Sequence, residues 1–294
     1  MVSRSPSVIL NDSHTMPQLG LGVWQADDEE TEEIVRFALD DAGYRSIDTA
    51  TDYGNEAGVG RGLAASGVDR DDVFITTKLW NAEHGRVNTL AAVDTSLSLL
   101  GLDHLDLYLI HWPLVGHEER LVETWATMIE IQGAGKARSI GVSNFEPHHL
   151  DLLAAHTDVV PAVNQVELHP LLQQRELRSY CAERGITVEA WSPLGGSGRG
   201  WGGEPHTNQL LGNPTLAVIA EKHGKSIAQV IIRWHLQSGI VVIPKSSRTA
   251  RVAQNAEVFD FALDDEDMAV INGLDAGRRF GAHPDELNFG APAS

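Results

Sequence analysis

The chain has 294 residues, 42% of them hydrophobic, and a formal net charge of −19. That length and apolar content suit one large domain with a substantial core, and so acidic a chain is a poor candidate for a nucleic-acid binder, which shows a basic face. No apolar stretch approaches the ~20 residues of a membrane span, and Cys181, the only cysteine, excludes an intramolecular disulfide or a Cys-rich zinc site.

The opening Met1-Val2-Ser3-Arg4-Ser5-Pro6 lacks the apolar region of a secretory signal. With one cysteine, a reducing cytoplasm is the expected compartment. Val8–Leu10 and Thr15–Met16 flank Asn11-Asp12-Ser13 and predict a small hairpin. Short apolar runs then predict strands at Leu19–Leu21, Tyr44–Asp48, Val73–Lys78, Leu105–Ile110, Ala137–Val142, Ala162–Val166, Thr187–Trp191 and Ile240–Pro244. Continuous apolar strands are those covered on both faces, as in parallel sheets. Between them apolar residues recur at helical spacing: Ile34, Val35, Ala38 and Leu39; Leu121, Val122, Trp125, Met128 and Ile129; Ile227, Val230, Ile231 and Trp234. A helical segment follows each strand. Eight such units predict an α/β fold, a (β/α)8 TIM barrel forming a single domain over residues 1–294, with the N-terminal hairpin closing the barrel bottom. The tail after Gly277 has little periodicity and is expected to lie over the surface. A doubly wound dinucleotide-binding sheet is the rival. Gly198-Arg199-Gly200-Trp201-Gly202-Gly203 fits G-x-G-x-x-G literally, but no strand feeds it and no clear helix follows it.

Three consecutive strand exits deliver reactive side chains. Ile47 leads to Asp48, with Tyr53 five residues on; Val73-Phe74-Ile75 leads to Lys78; Leu107–Ile110 leads to His111. Singly these read as a helix cap, a packing phenol, a surface lysine and a buried histidine. In a parallel barrel all strand exits open on one face, where active sites sit. There a lysine ammonium would favour the tyrosine phenolate, and a carboxylate would hold the lysine charged. The tyrosine can then act as a general acid, and the histidine can bond an oxygen that gains charge. Trp24, Trp80 and Trp112 follow the first, third and fourth strands and suggest an apolar wall for a small substrate. Trp191, ending the seventh strand, could stack on a flat ring such as nicotinamide. Lys245, Arg248 and Arg251 crowd into seven residues of an acidic chain, just before and within a predicted helix from about Thr249 to Ala256. They could be solvated side chains. As a phosphate clamp at a helix N-terminus, they suit the 2′-phosphate of NADP.

At these residues the chain resembles the aldo-keto reductase superfamily. The resemblance rests on Tyr44-Arg45-Ser46-Ile47-Asp48-Thr49-Ala50 with Tyr53-Gly54-Asn55-Glu56, on Leu105–Pro113, on Gly141-Val142-Ser143-Asn144-Phe145, on Asn164–Pro170 and on Ile243-Pro244-Lys245-Ser246. Among subgroups it is similar to the bacterial 2,5-diketo-D-gluconate reductases, in the tail Gly281–Glu286 and the short loop after Pro113. Trp24 and the long glycine-rich loop Gly195–Asn213 depart from that pattern. The resemblance implies a metal-free, NADPH-dependent reductase of small carbonyl compounds. It implies that Asp48, Tyr53, Lys78 and His111 form the catalytic tetrad, with Tyr53 the proton donor. It also implies that Gly22 and Val23 border the cofactor and that Ser143, Asn144 and Gln165 hold the nicotinamide carboxamide. Trp191 would stack on the ring, and Ser192, Pro193, Leu194 and Gly195 would pass the pyrophosphate. Lys245, Ser246, Ser247, Arg248 and Arg251 would surround the 2′-phosphate, and Gln254 and Asn255 the adenine.

The expectation is therefore a cytoplasmic, monomeric enzyme with a small-molecule substrate and no nucleic-acid or membrane partner. Two alternatives remain: a weakly active nicotinamide-binding sensor or scaffold of the same fold, and a metal-dependent hydrolase using His111, His169, Glu167 and Asp48. Against the hydrolase, no close ligand motif such as H-E-x-x-H is present, and Lys78 on the same rim would repel a cation.

Overall fold

The computed structural model describes residues 5–196 and 208–287. An antiparallel hairpin, β1 (Ser7–Ile9) and β2 (Thr15–Pro17), comes first. Eight parallel strands follow: β3 (Leu21–Gly22), β4 (Ser46–Asp48), β5 (Phe74–Leu79), β6 (Leu105–Ile110), β7 (Ala137–Ser143), β8 (Val163–Glu167), β9 (Thr187–Trp191) and β10 (Val241–Val242). Each pairs with the next in chain order. The two ends of the sheet then meet. Gly20 donates its N–H to the Val242 carbonyl at 3.0 Å, Val242 donates to Gln18 at 2.9 Å, and Gly22 bridges Lys245. The sheet closes into the expected (β/α)8 barrel.

The return helices are α1 (Asp28–Asp40), α2 (Glu56–Ala65), α3 (Arg86–Leu100), α4 (Glu118–Gly133), α5 (Pro147–Ala154) and α6 (Arg175–Glu183). Two helices, α7 (Pro214–His223) and α8 (Ile227–Gln237), separate β9 from β10, where one helical segment was expected. Gly224 at φ 61° ends the first, and a capping box between Ser226 and Gln229 starts the second. The helices α9 (Thr249–Ala256) and α10 (Asp265–Asn272) complete the described elements. Some strand ends also move. Tyr44 stays outside β4 because its N–H bonds the Ala38 carbonyl at the end of α1, at 2.9 Å. β10 stops short of Pro244, which has no N–H to continue a ladder.

Strand alternation divides the core. Ile47, Ile75, Tyr108, Ile110, Ile140, Val142, Val166, Ala190 and Val242 belong to the large cluster shared with the helices. Phe74, Leu107, Leu109, Val163 and Val241 form a second cluster inside the barrel. Leu10 and Met16 of the hairpin pack into that inner cluster, so the hairpin plugs the bottom of the barrel. Towards the strand exits the inward positions turn polar: Asp48, Lys78, Gln165 and Glu189. An apolar plug below thus leaves the polar chemistry at the mouth. Met16→Ala should cost about 2–5 kcal/mol in urea unfolding, the range for large-to-small core changes. Ligand binding at the mouth should be unchanged.

Candidate active site

The four residues from the strand exits meet. The Lys78 ammonium, with a side chain 0% exposed, donates to Asp48 Oδ1 at 2.6 Å and to the Thr49 carbonyl at 2.9 Å. It also approaches the Tyr53 hydroxyl at 3.4 Å. Its Nζ lies 5.0 Å from the Tyr53 ring centre. His111 packs edge-on against Tyr53, with ring centres 5.7 Å apart, and against Trp80 at 5.2 Å. On the far side, Gln165 Nε2 donates to Asp48 Oδ2 and to Glu189 Oε2, both at 2.8 Å. Five polar groups form one chain from Tyr53 to Glu189. Sequence reasoning missed Glu189. The available signal was an acid inside the otherwise apolar run of β9, two residues before Trp191.

Burial sets the charges, and contact modifies them. Burial would lower the Lys78 ammonium, but the charge of and hydrogen bond to Asp48, together with Tyr53 and Glu189, outweigh it and the net shift is upward. Burial pushes Asp48 up, opposed by Lys78 in direct contact. Burial also pushes Glu189 up to about 8. Asp48 has the ammonium at 2.6 Å, so it carries the negative charge and Glu189 takes the proton at neutral pH. Tyr53 departs from the simplest expectation. Lys78 does pull its pKa down, yet burial dominates and pushes it up to about 12. The phenol is therefore firmly protonated. His111 is held well below the usual histidine range by burial and then by Lys78, so its ring is neutral.

Asp48, Tyr53 and His111 floor a cleft. Trp24, Trp80, Trp112 and Trp191 line it, as do Gly22, Ser143, Asn144, Gln165 and Ser192. Asp52 and Ile243, not anticipated from sequence, line it too. Val23 stands behind this wall. Its side chain is buried in the core, its N–H bonds Asp48 and its carbonyl accepts from Asn55. Asn144 takes φ 65°, a left-handed conformation that Asn tolerates, just beyond the hydrogen-bonded end of β7. Its Nδ2 donates to the His111 carbonyl and to Ser143 Oγ, and its Oδ1 accepts from Trp191 Nε1 at 2.8 Å.

A second groove shares Trp24 and Ser192 with the cleft and continues from it. It is lined by Pro193, Leu194, Lys245, Ser246, Ser247, Arg248, Arg251, Gln254 and Asn255. Gly195 adjoins it at φ 83°. Arg248 is the N-cap residue of α9 but offers no side-chain capping bond. The helix N-terminus and three cations therefore converge on one open groove. The G-x-G-x-x-G match at Gly198–Gly203 lies outside the described residues, as does much of the Gly195–Asn213 loop.

The tail does more than lie over the surface. The buried Glu167 carboxylate accepts the N–H groups of Phe280 at 2.6 Å and Gly281 at 2.9 Å, and contacts His169 Nε2 at 3.1 Å. Arg279 pairs with Glu146. Glu167 and His169 are thus committed to anchoring the tail, and neither lines the cleft, which removes the ligand set considered for a hydrolase.

The family model for the aldo/keto reductase family matches residues 17–276. The chain belongs to that family. It is 49% identical to the glyoxal reductase of Bacillus subtilis over 98% of this chain and 99% of that one. It is 48% identical to the methylglyoxal reductase DkgA of Escherichia coli, over 96% and 98%. A solved aldo-keto reductase of Bombyx mori in complex with NADP superposes with a TM-score of 0.86 at 38% identity, covering 95% of each chain. The resemblance to bacterial members of the family is confirmed. As a member of it, this protein is an NADP(H)-dependent oxidoreductase of carbonyl compounds.

The tail fixes one wall of the cleft sterically. A Cβ at Gly281 would lie 2.4 Å from the Trp191 ring and 3.0 Å from Glu167 Oε2. Gly281→Ala should displace the indole from Asn144, seen as an altered near-ultraviolet dichroism, and destabilise the fold by about 1–3 kcal/mol.

Proposed function

We propose that this aldo-keto reductase uses NADPH to reduce small aldehydes and ketones, with Tyr53 donating the proton to the carbonyl oxygen. The observation that carries the reading is the Tyr53 hydroxyl held 3.4 Å from a buried, ion-paired ammonium at the floor of an aromatic cleft. The continuous groove supports the cofactor: it brings the N-terminus of α9, without a side-chain cap, and three cations to the far end of the same depression.

When bound, NADPH supplies a hydride. Lys245 and Arg251, with Ser246, Ser247 and Arg248, hold the 2′-phosphate, and Gln254 and Asn255 border the adenine. Ser192, Pro193, Leu194 and Gly195 pass the pyrophosphate. Ser143, Asn144 and Gln165 orient the carboxamide, Trp191 covers the ring, and Gly22 with Val23 supports it from the first strand exit. Tyr53, protonated throughout the neutral range, gives its proton to the substrate oxygen. Lys78 stabilises the phenolate left behind, and Asp48 keeps Lys78 charged and in place. Neutral His111 donates a hydrogen bond that orients the same oxygen. Trp24, Trp80 and Trp112 form an apolar surround that excludes water from a small substrate. The same reading takes residues 1–294 as one barrel domain, acting as a monomer in the cytoplasm. Glyoxal and methylglyoxal, named in the relatives, are the first substrates to try.

Tyr53→Phe should lower kcat for NADPH-dependent reduction about 10²–10⁴-fold, with the NADPH dissociation constant within twofold of wild type. Wild-type turnover by the variant would refute the assignment; binding without any turnover of a carbonyl panel by the wild type would favour a sensor. Replacing Lys245 and Arg251 together by Met should weaken NADPH at least about tenfold, one 1.4 kcal/mol step, while NADH changes far less. Fluorescence titration of both cofactors reads the difference, and equal losses would remove the 2′-phosphate clamp.

A further inference from the structure

Glu189 stands apart in the buried chain because the proposed mechanism gives it no task. Its side chain lies inside the barrel with no exposed surface. Oε2 accepts from Gln165 Nε2 at 2.8 Å, and Oε1 has no partner among the described residues. A buried oxygen without a partner costs stability, so packing alone gives no reason for an acid here.

The amide of Gln165 supplies a reason. A side-chain amide has two N–H donors on one end and an acceptor oxygen on the other. Both donors of Gln165 are engaged, one by Asp48 Oδ2 and one by Glu189 Oε2. Asp48 is ion-paired to Lys78 and must accept, so the nitrogen end is fixed inward. Only the Gln165 carbonyl oxygen remains for a ligand. Asn144 is similar: its Nδ2 bonds His111 and Ser143, and its Oδ1 accepts from Trp191 Nε1 with one further lone pair to offer. At this wall the two amide side chains offer acceptors and no donor.

We propose that Glu189 is a positioning residue for the nicotinamide end of the site: with Asp48 it locks the Gln165 amide so that the cleft recognises a ligand N–H₂ group. This rests on the reading of the cleft as the nicotinamide site. A carboxamide supplies such a donor, whereas an acetyl group supplies none. The charged groups facing Glu189 are Asp48 from β4 and Lys78 from β5; the adjoining strands β8 and β10 bring Gln165 and Val241. Burial holds the carboxyl neutral until about pH 8. Above that pH it adds an anion beneath the ring site, which favours a pyridinium over a dihydropyridine.

The test measures dissociation constants for NADPH, NADP⁺ and the reduced 3-acetylpyridine analogue of NADP, whose methyl group replaces the amide N–H₂. Wild type, Glu189→Gln and Glu189→Leu are compared, with folding checked by circular dichroism. Glu189→Leu should weaken NADPH about 3- to 10-fold, the worth of one hydrogen bond, and leave the acetylpyridine analogue within twofold. Glu189→Gln keeps an acceptor for Gln165 and should bind NADPH within twofold of wild type at pH 7. In the wild type, the NADP⁺-to-NADPH ratio of dissociation constants should fall between pH 7 and pH 9; in Glu189→Gln it should stay flat. Equal weakening of both reduced ligands by Glu189→Leu, or a pH dependence that survives in Glu189→Gln, would overturn the proposal. If the wild type binds neither cofactor, it is the assignment of the cleft that fails.

Discussion

The structure of the site depends on one interaction, the ion pair between Lys78 and Asp48 inside the barrel. Its partners are 2.6 Å apart and nearly without solvent contact. Desolvating two charges is expensive, and such a pair is often no more stable than apolar residues of the same volume. It persists on geometry: Lys78 also reaches Thr49 and Tyr53, and Asp48 also accepts from Gln165. Removing one partner would strand a charge in the core, at a cost of about 3–5 kcal/mol. The pair therefore acts as a fixed centre around which the neighbouring side chains must arrange.

Around that centre the remaining protons are sorted by burial and by contact with the cation. Asp48 touches the ammonium and keeps its charge. Glu189, two residues further along the chain of bonds, does not touch it and stays neutral near pH 7. Tyr53 is close enough to feel Lys78 but is too buried to ionise. His111 is denied its proton by the same burial and the same cation. Burial and one positive charge thus together leave a neutral acid, a neutral imidazole and an oriented amide along one wall. The cleft and the basic groove extend this arrangement outward, and the tail seats Trp191 through Glu167.

Much of this was legible beforehand. The barrel followed from eight apolar runs spaced by helical segments, because a strand covered on both faces has no polar side to show. The four reactive residues followed from their place at successive strand exits. The groove cations stood out against the acidic background at Lys245, Arg248 and Arg251. The division of one helical segment into α7 and α8 was missed, since periodicity does not register a break of two or three residues. Tyr44 was placed in the strand that ends at Asp48, although its N–H bonds back to the end of α1.

By itself the sequence determined which side chains reach the mouth of the barrel, since strand period and strand order are properties of the chain. It also determined the sign of each group and the apolar plug that Met16 and Leu10 provide. Tertiary structure alone decided which groups are in contact, and therefore which are charged. The rise of Tyr53 to about 12 reflects burial in the cleft floor. The role of Glu189 reflects its 2.8 Å contact with a residue 24 positions away. The use of Glu167 and Gly281 as a tail anchor joins residues 114 positions apart. Burial and through-space distance are set by folding, and neither is carried by local pattern.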